Sequence, residues 1–96
     1  MNIREFQGLM KQMYLHRDSE RGAVATYNWL VDEVNELGAA LKKGGERALR
    51  DEFADVLAWL ASLANVLGID LETAAVSKYD RKCPRCLQTK CDCPPE

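Results

Sequence analysis

Three features of the sequence predict an all-α protein folded as an antiparallel helical bundle. Every proline lies at or beyond Pro84, so about eighty residues are free of the side chain most hostile to helix interiors. Apolar residues recur through that stretch at three- and four-residue steps, and no strand-type alternation competes with them. The polar breaks between the periodic segments are short, which makes consecutive helices antiparallel neighbours.

A first helix is expected over 2–17, where Asn2 can cap and Ile3, Phe6, Met10, Met13 and Tyr14 recur at helical spacing. Asp18-Ser19-Glu20-Arg21-Gly22 reads as polar punctuation. A second helix is expected over 23–43; Lys42 and Lys43 suit the negative end of its dipole, and Gly44-Gly45 suits its cap. The third, over 46–67, opens with acids and closes at Gly68. Asp70 caps a fourth helix from Leu71 to Lys82, which Cys83-Pro84 interrupts. Ninety-six residues therefore divide into a helical part, 1–82, and a cysteine-rich tail, 83–96. A chain this short buries a modest core and leaves apolar stripes uncovered, so a second copy is expected to complete the bundle, as a homodimer or homotetramer.

Composition narrows the functional classes. Lys and Arg number 13 against 15 Asp and Glu, a net charge of −2, so nothing suggests wrapping a nucleic acid. Hydrophobic residues at 47% and charged residues at 29% are globular rather than disordered proportions. Met1-Asn2-Ile3-Arg4-Glu5 lacks the order of a secretory signal. Charge-free stretches such as Val56 to Ile69 fall short of the roughly 20 residues that span a bilayer. A cytoplasmic protein with no membrane partner is expected, and the tight clustering of its cysteines agrees.

The acids carry the chemical signal. The second helix holds Glu33-x-x-Glu36 and the third Glu52-x-x-Asp55. On a helical projection Leu30, Val34, Leu37 and Leu41 form one apolar stripe, and Leu49, Phe53, Val56, Leu60, Leu63 and Leu67 the other. Both acid pairs fall on the shoulders of these stripes. Antiparallel packing lets the shoulders converge into a patch of four carboxylates. Like charges so gathered need a cation between them, and an all-oxygen set suits hard Mg²⁺ or Mn²⁺ rather than zinc. The plainer alternative is two solvated faces paired with Lys and Arg; the repetition of one arrangement on consecutive helices favours the metal.

With fifteen residues between Glu36 and Glu52, and with the flanking Trp29-Leu30 and Ala54-Asp55-Val56-Leu57-Ala58-Trp59, these motifs closely resemble those of the MazG-like nucleotide pyrophosphohydrolases. The likeness to this all-α nucleoside-triphosphate pyrophosphatase superfamily spans helices two to four. It implies a dimeric or tetrameric helical bundle that uses Mg²⁺ to hydrolyse an NTP or dNTP to the monophosphate and pyrophosphate. It also implies metal ligation by Glu33, Glu36, Glu52 and Asp55, the expected catalytic set. Chemistry allows one of these acids to take the proton from the attacking water instead; Glu33 is the candidate, and the sequence does not assign the role. Where many relatives open the first motif with two glutamates, this chain has Asp32-Glu33.

The resemblance further places basic residues of the fourth-helix region on substrate phosphates. Lys78 and Lys82, at i and i+4, would share a face there, although complementing the helix dipole accounts for them equally well. Trp29 and Trp59 lie one helical step from the acids, placed either to stack on a nucleobase or to fill the core. His16 has no ligand pattern around it and is expected on the surface.

Cys83-Pro84-Arg85-Cys86 and Cys91-Asp92-Cys93 place four thiols within eleven residues, the set Zn²⁺ takes in closed structural sites. An iron–sulfur centre, disulfides and dithiol redox chemistry are the alternatives, the last lacking its βαβ setting. Zinc here would be structural, ordering a tail too short to fold unaided. A rival functional class remains: a non-catalytic, zinc-containing helical module that docks a protein.

Overall fold

Asn2 opens the first helix with a reciprocal cap. Its side-chain oxygen accepts the Glu5 N–H at 2.8 Å, and its own N–H donates to the Glu5 carboxylate at 3.1 Å. In the computed structural model, which describes residues 1–95, helix α1 runs Ile3–Arg21, α2 Ala23–Lys43, α3 Glu46–Leu67 and α4 Leu71–Lys78. Among the described residues there is no strand. Glu96, the last residue of the expected tail, lies outside them.

The expected boundaries of α2 and α3 hold; those of α1 and α4 need correction. α1 continues past residue 17 to Arg21 because Asp18 is a buried helical residue, ion-paired to Arg21 at 2.8 Å one turn on. The break comes at Gly22, whose N–H donates to the Asp18 carbonyl and whose φ of 87° is open to glycine but strained for a side chain. α4 ends at Lys78 rather than Lys82. Residues 79–82 turn back, with the Arg81 N–H donating to the Tyr79 carbonyl at 2.8 Å and Arg81 at φ 59°. That reversal leads into the cysteine turn, closed by Leu87 N–H on the Cys83 carbonyl and Cys83 N–H on the Gln88 carbonyl.

α2 and α3, joined through Gly44-Gly45, form the principal antiparallel pair, and α1 lies along α3. α1 is also antiparallel to α3: Gln7 near its start meets Asn65 near the end of α3, while Arg21 at its end lies over Trp59. The buried Gln7 side chain donates to Asn65 Oδ1 (3.0 Å) and the Ile69 carbonyl (2.7 Å), and accepts the Leu71 N–H (2.9 Å). One amide thus ties α1 to the α3–α4 turn with its polar atoms paired. Arg4 fixes α4 to the same end of α1 through Asp70 (3.0 Å) and Glu72 (3.1 Å).

The tightest packing uses small residues. Thr26, Ala40, Ala61, Ser62 and Ala64 are buried together with Met10. The stripes predicted as core are only part-covered, and Leu41, Phe53 and Leu67 are more than half exposed. One layer of helices has nothing to lay over the outer side of those stripes. The radius of gyration, 15.6 Å, exceeds the value of about 12.5 Å for a compact domain of this length, so the single chain is an open arrangement. Among the described residues, no single helix is long and apolar enough to cross a membrane.

Candidate functional site

The register of the α2–α3 hairpin sets acids of two helices face to face. Glu33 and Glu36, one turn apart on α2, meet Glu52 on α3, with one carboxylate oxygen from each within 4.8 Å of the others. Glu33 Oε2 and Glu52 Oε2 are closed off from water and accept no hydrogen bond. A buried carboxylate oxygen without a donor is costly, and oxygens gathered this way are the donor set of a hard divalent cation. The crowding shows in Glu33, whose carboxyl is raised from 4.5 to about 7. Partial burial contributes most, followed by the charges of Glu36, Asp55 and Glu52; a hydrogen bond to Glu52, which Glu33 can donate only when protonated, adds to the rise, so the two oxygens lack a donor when both acids are ionised.

Asp55 stands outside this close set. It lies one turn beyond Glu52, exposed, and its charge acts on Glu33. It also lines a neighbouring groove of about 290 Å³ between α1 and α3, whose walls include Tyr14, Arg17, Asp18, Arg21 and Trp59. Trp29 and Trp59 are stacked on each other, with ring centroids 5.6 Å apart and planes 12° from parallel. Trp29 is 50% exposed, so the pair bridges α2 and α3 at an open face one turn from the acids. The Arg21 guanidinium lies 4.8 Å from the Trp59 ring centroid, a cation–π contact.

The cations beside this groove come from α1. Lys78 has its ammonium 5.7 Å from the Tyr79 ring and lines a cleft with Cys83 and Pro84. Lys82 falls beyond the end of α4, so the expected shared face of Lys78 and Lys82 does not form. Arg17, Asp18 and Arg21 were the groups that sequence reasoning missed. The signal was present: Met10, Tyr14, Arg17 and Arg21 step by four, three and four and continue one face of α1 through the supposed punctuation. His16 is exposed, as expected.

At the other end of the chain, one sulfur from each of Cys83, Cys86, Cys91 and Cys93 lies within 4.8 Å of the rest, and none is in a disulfide. Cys83 Sγ and Cys93 Sγ are 3.7 Å apart. A tetrahedron of sulfurs at a metal–sulfur bond of about 2.3 Å has edges of about 3.8 Å, so the spacing suits a shared metal ion. Backbone N–H groups of Cys86 and Arg85 hold the Cys83 thiol down to about 6, and those of Asp92 and Gln88 lower Cys86. Cys93, facing the sulfurs of Cys91 and Cys83, is pushed up to about 12. The loop therefore favours thiolate at its first two cysteines, while the Cys93 thiol keeps its proton chiefly by hydrogen bonding to the sulfurs of Cys91 and Cys83.

Residues 21–87 match the MazG nucleotide pyrophosphohydrolase domain, well over half of the chain and the whole of α2, α3 and α4. No curated protein matches the chain.

Proposed function

The chain belongs to the MazG nucleotide pyrophosphohydrolase family, and from that premise we propose that it is a Mg²⁺-dependent enzyme converting an NTP or dNTP to the monophosphate and pyrophosphate. The observation that carries this reading is the meeting of Glu33, Glu36 and Glu52, with two of their oxygens buried and unpaired. In an enzyme, Glu33, Glu36, Glu52 and the nearby Asp55 would hold Mg²⁺, or Mn²⁺ in its place. When bound, such a cation neutralises phosphate charge and polarises the phosphorus under attack. One acid of this set serves instead as the base that takes a proton from the attacking water; Glu33, the most crowded of them, is the choice for that role, with Glu36, Glu52 and Asp55 then left to the cation. The new P–O bond forms as the bond to the pyrophosphate oxygen breaks.

In the same reading Cys83, Cys86, Cys91 and Cys93 hold a structural Zn²⁺ that orders the tail behind the catalytic helical part, residues 1–82. The half-exposed faces carrying Leu41, Phe53 and Leu67 support pairing with a second copy. Lys78 and Lys82, which lie near the cysteine turn, are proposed to meet substrate phosphate across such an interface.

The test is direct. Purified protein with Mg²⁺ releases pyrophosphate and monophosphate from nucleoside triphosphates, and Glu36→Ala or Asp55→Ala abolishes release while the helical circular dichroism signal is retained. Absence of turnover across the common ribo- and deoxyribonucleotides overturns the reading.

A further inference from the structure

Asp18 is a buried acid that takes no part in the carboxylate cluster. Its side chain is 3% exposed; Oδ1 accepts from Arg21 at 2.8 Å, while Oδ2 is shut off from water and has no partner. The residue lines the groove between α1 and α3 together with Tyr14, Arg17, Arg21, Trp59 and Asp55, so that the two guanidiniums sit at the wall and Asp18 is the buried acceptor among them. Asp55 joins that groove to the acidic centre, since its charge also acts on Glu33.

The chemistry of these walls restricts what can enter. A phosphate placed at Asp18 meets a second anion, and a purely apolar group leaves Oδ2 unpaired. The Arg21 guanidinium illustrates what fits: it lies over the Trp59 ring and donates N–H to Asp18. A planar, aminated heterocycle reproduces both contacts. We infer that this groove is the nucleobase site and selects bases carrying an exocyclic amino group (cytosine, adenine or guanine) over uracil and thymine. The Arg21 guanidinium swings off the Trp59 ring, keeping its N–H on Asp18 Oδ1 and opening the way to Oδ2; the ring takes its place on Trp59, and the amino group donates to Asp18 Oδ2. Uracil and thymine offer only an imino N–H between two carbonyl oxygens, and those oxygens face the carboxylate unfavourably. The inference rests on the pyrophosphohydrolase reading for the triphosphate that carries the base.

Two measurements separate the site from the reaction. In the first, pyrophosphate release by the full chain with Mg²⁺ is compared across dCTP, dATP, dGTP, dUTP and dTTP. The expected kcat/KM for the best amino-bearing base exceeds that for dUTP by about tenfold or more. Asp18→Asn keeps the shape of the side chain and an oxygen for Arg21 but turns the free acceptor into a donor, so it narrows or inverts that ratio. A loss of folding lowers all five rates alike and leaves the ratio unchanged. In the second, equilibrium binding of CMP, AMP, GMP and UMP is followed by tryptophan fluorescence, again with Asp18→Asn. Amino-base monophosphates that bind more tightly than UMP, with the difference lost in the variant, support the site even where no triphosphate is hydrolysed; in that case the enzyme reading alone fails. A wild-type preference for uracil, or a base ratio unchanged by Asp18→Asn in a folded variant, overturns the inference while leaving catalysis intact. If Asp18→Asn does not fold, the wild-type CMP to UMP binding ratio decides: a ratio of one overturns the inference, and tighter CMP binding supports it.

Discussion

Replacing Glu33 with Gln should uncouple metal binding from pH. In the metal-free chain this carboxyl is raised from 4.5 to about 7 by burial and by its acidic neighbours. It therefore holds its proton more tightly folded than unfolded, and the metal-free protein loses stability as pH climbs from 4.5 through about 7. A divalent cation must displace that proton. With half-titration near 7, about one tenth of the sites are ionised at pH 6 and about one hundredth at pH 5, so apparent Mg²⁺ affinity falls by those factors. Above pH 8 the dependence flattens. The titration belongs to the coupled cluster, with Glu33 its most perturbed member. Isothermal titration calorimetry from pH 5.5 to 8, repeated in buffers of different ionisation enthalpy, reads both the affinity and the proton released. Glu33→Gln binds Mg²⁺ more weakly at pH 8 and shows little dependence on pH. Equal wild-type affinity at pH 5.5 and pH 8, or an undiminished slope in the variant, refutes the link between crowding and cation binding.

Two further outcomes probe the packing and the tail. Ala61, 1% exposed on α3, leaves no room for a larger side chain; Ala61→Leu is expected to cost about 1–3 kcal/mol and lower the melting temperature by about 5 to 15 °C, read by circular dichroism. An unchanged melting temperature would show that the small-residue contacts are looser than described. Removal of zinc from the loaded protein with a strong chelator should release one ion by native mass spectrometry and speed amide exchange in residues 83–95, while α2 and α3 keep their protection. Loss of helical signal in parallel with the zinc would show that the tail supports the whole bundle.

The helices and their acids were legible because local rules decide them. Pro-free periodic segments, the Asn2 and Asp70 caps and the glycine stops are all local, and they reappear in the structure. Spacing alone put Glu33, Glu36 and Glu52 on matching shoulders, and an antiparallel hairpin did the rest. The misplaced boundaries were those set by tertiary contact. Asp18-Ser19-Glu20-Arg21 looks like a solvated break until Asp18 is seen buried against Arg21 beside Trp59. Cys83-Pro84 is the first breaker after Asp70 and so carries the expected α4 to Lys82, whereas the chain already reverses after Lys78, with the Arg81 N–H on the Tyr79 carbonyl. The apolar stripes were correctly identified as helix faces. What covers them depends on a neighbour, which one chain does not supply.

The acids stay together only if something outside their own cluster holds the hairpin. Carboxylates that repel one another push α2 and α3 apart, so the hairpin must be held by contacts outside the cluster. Ala40, one turn beyond Glu36 on α2, is buried, and the Trp29–Trp59 stack bridges α2 and α3 one turn from Glu33 and Asp55. Those contacts keep Glu33 and Glu52 together in spite of their charge, with buried oxygens unpaired. A side chain that could relax outward would find water and lose its demand for a cation. Rigidity beside the cluster thus sustains an electrostatic strain of the kind a divalent ion would relieve.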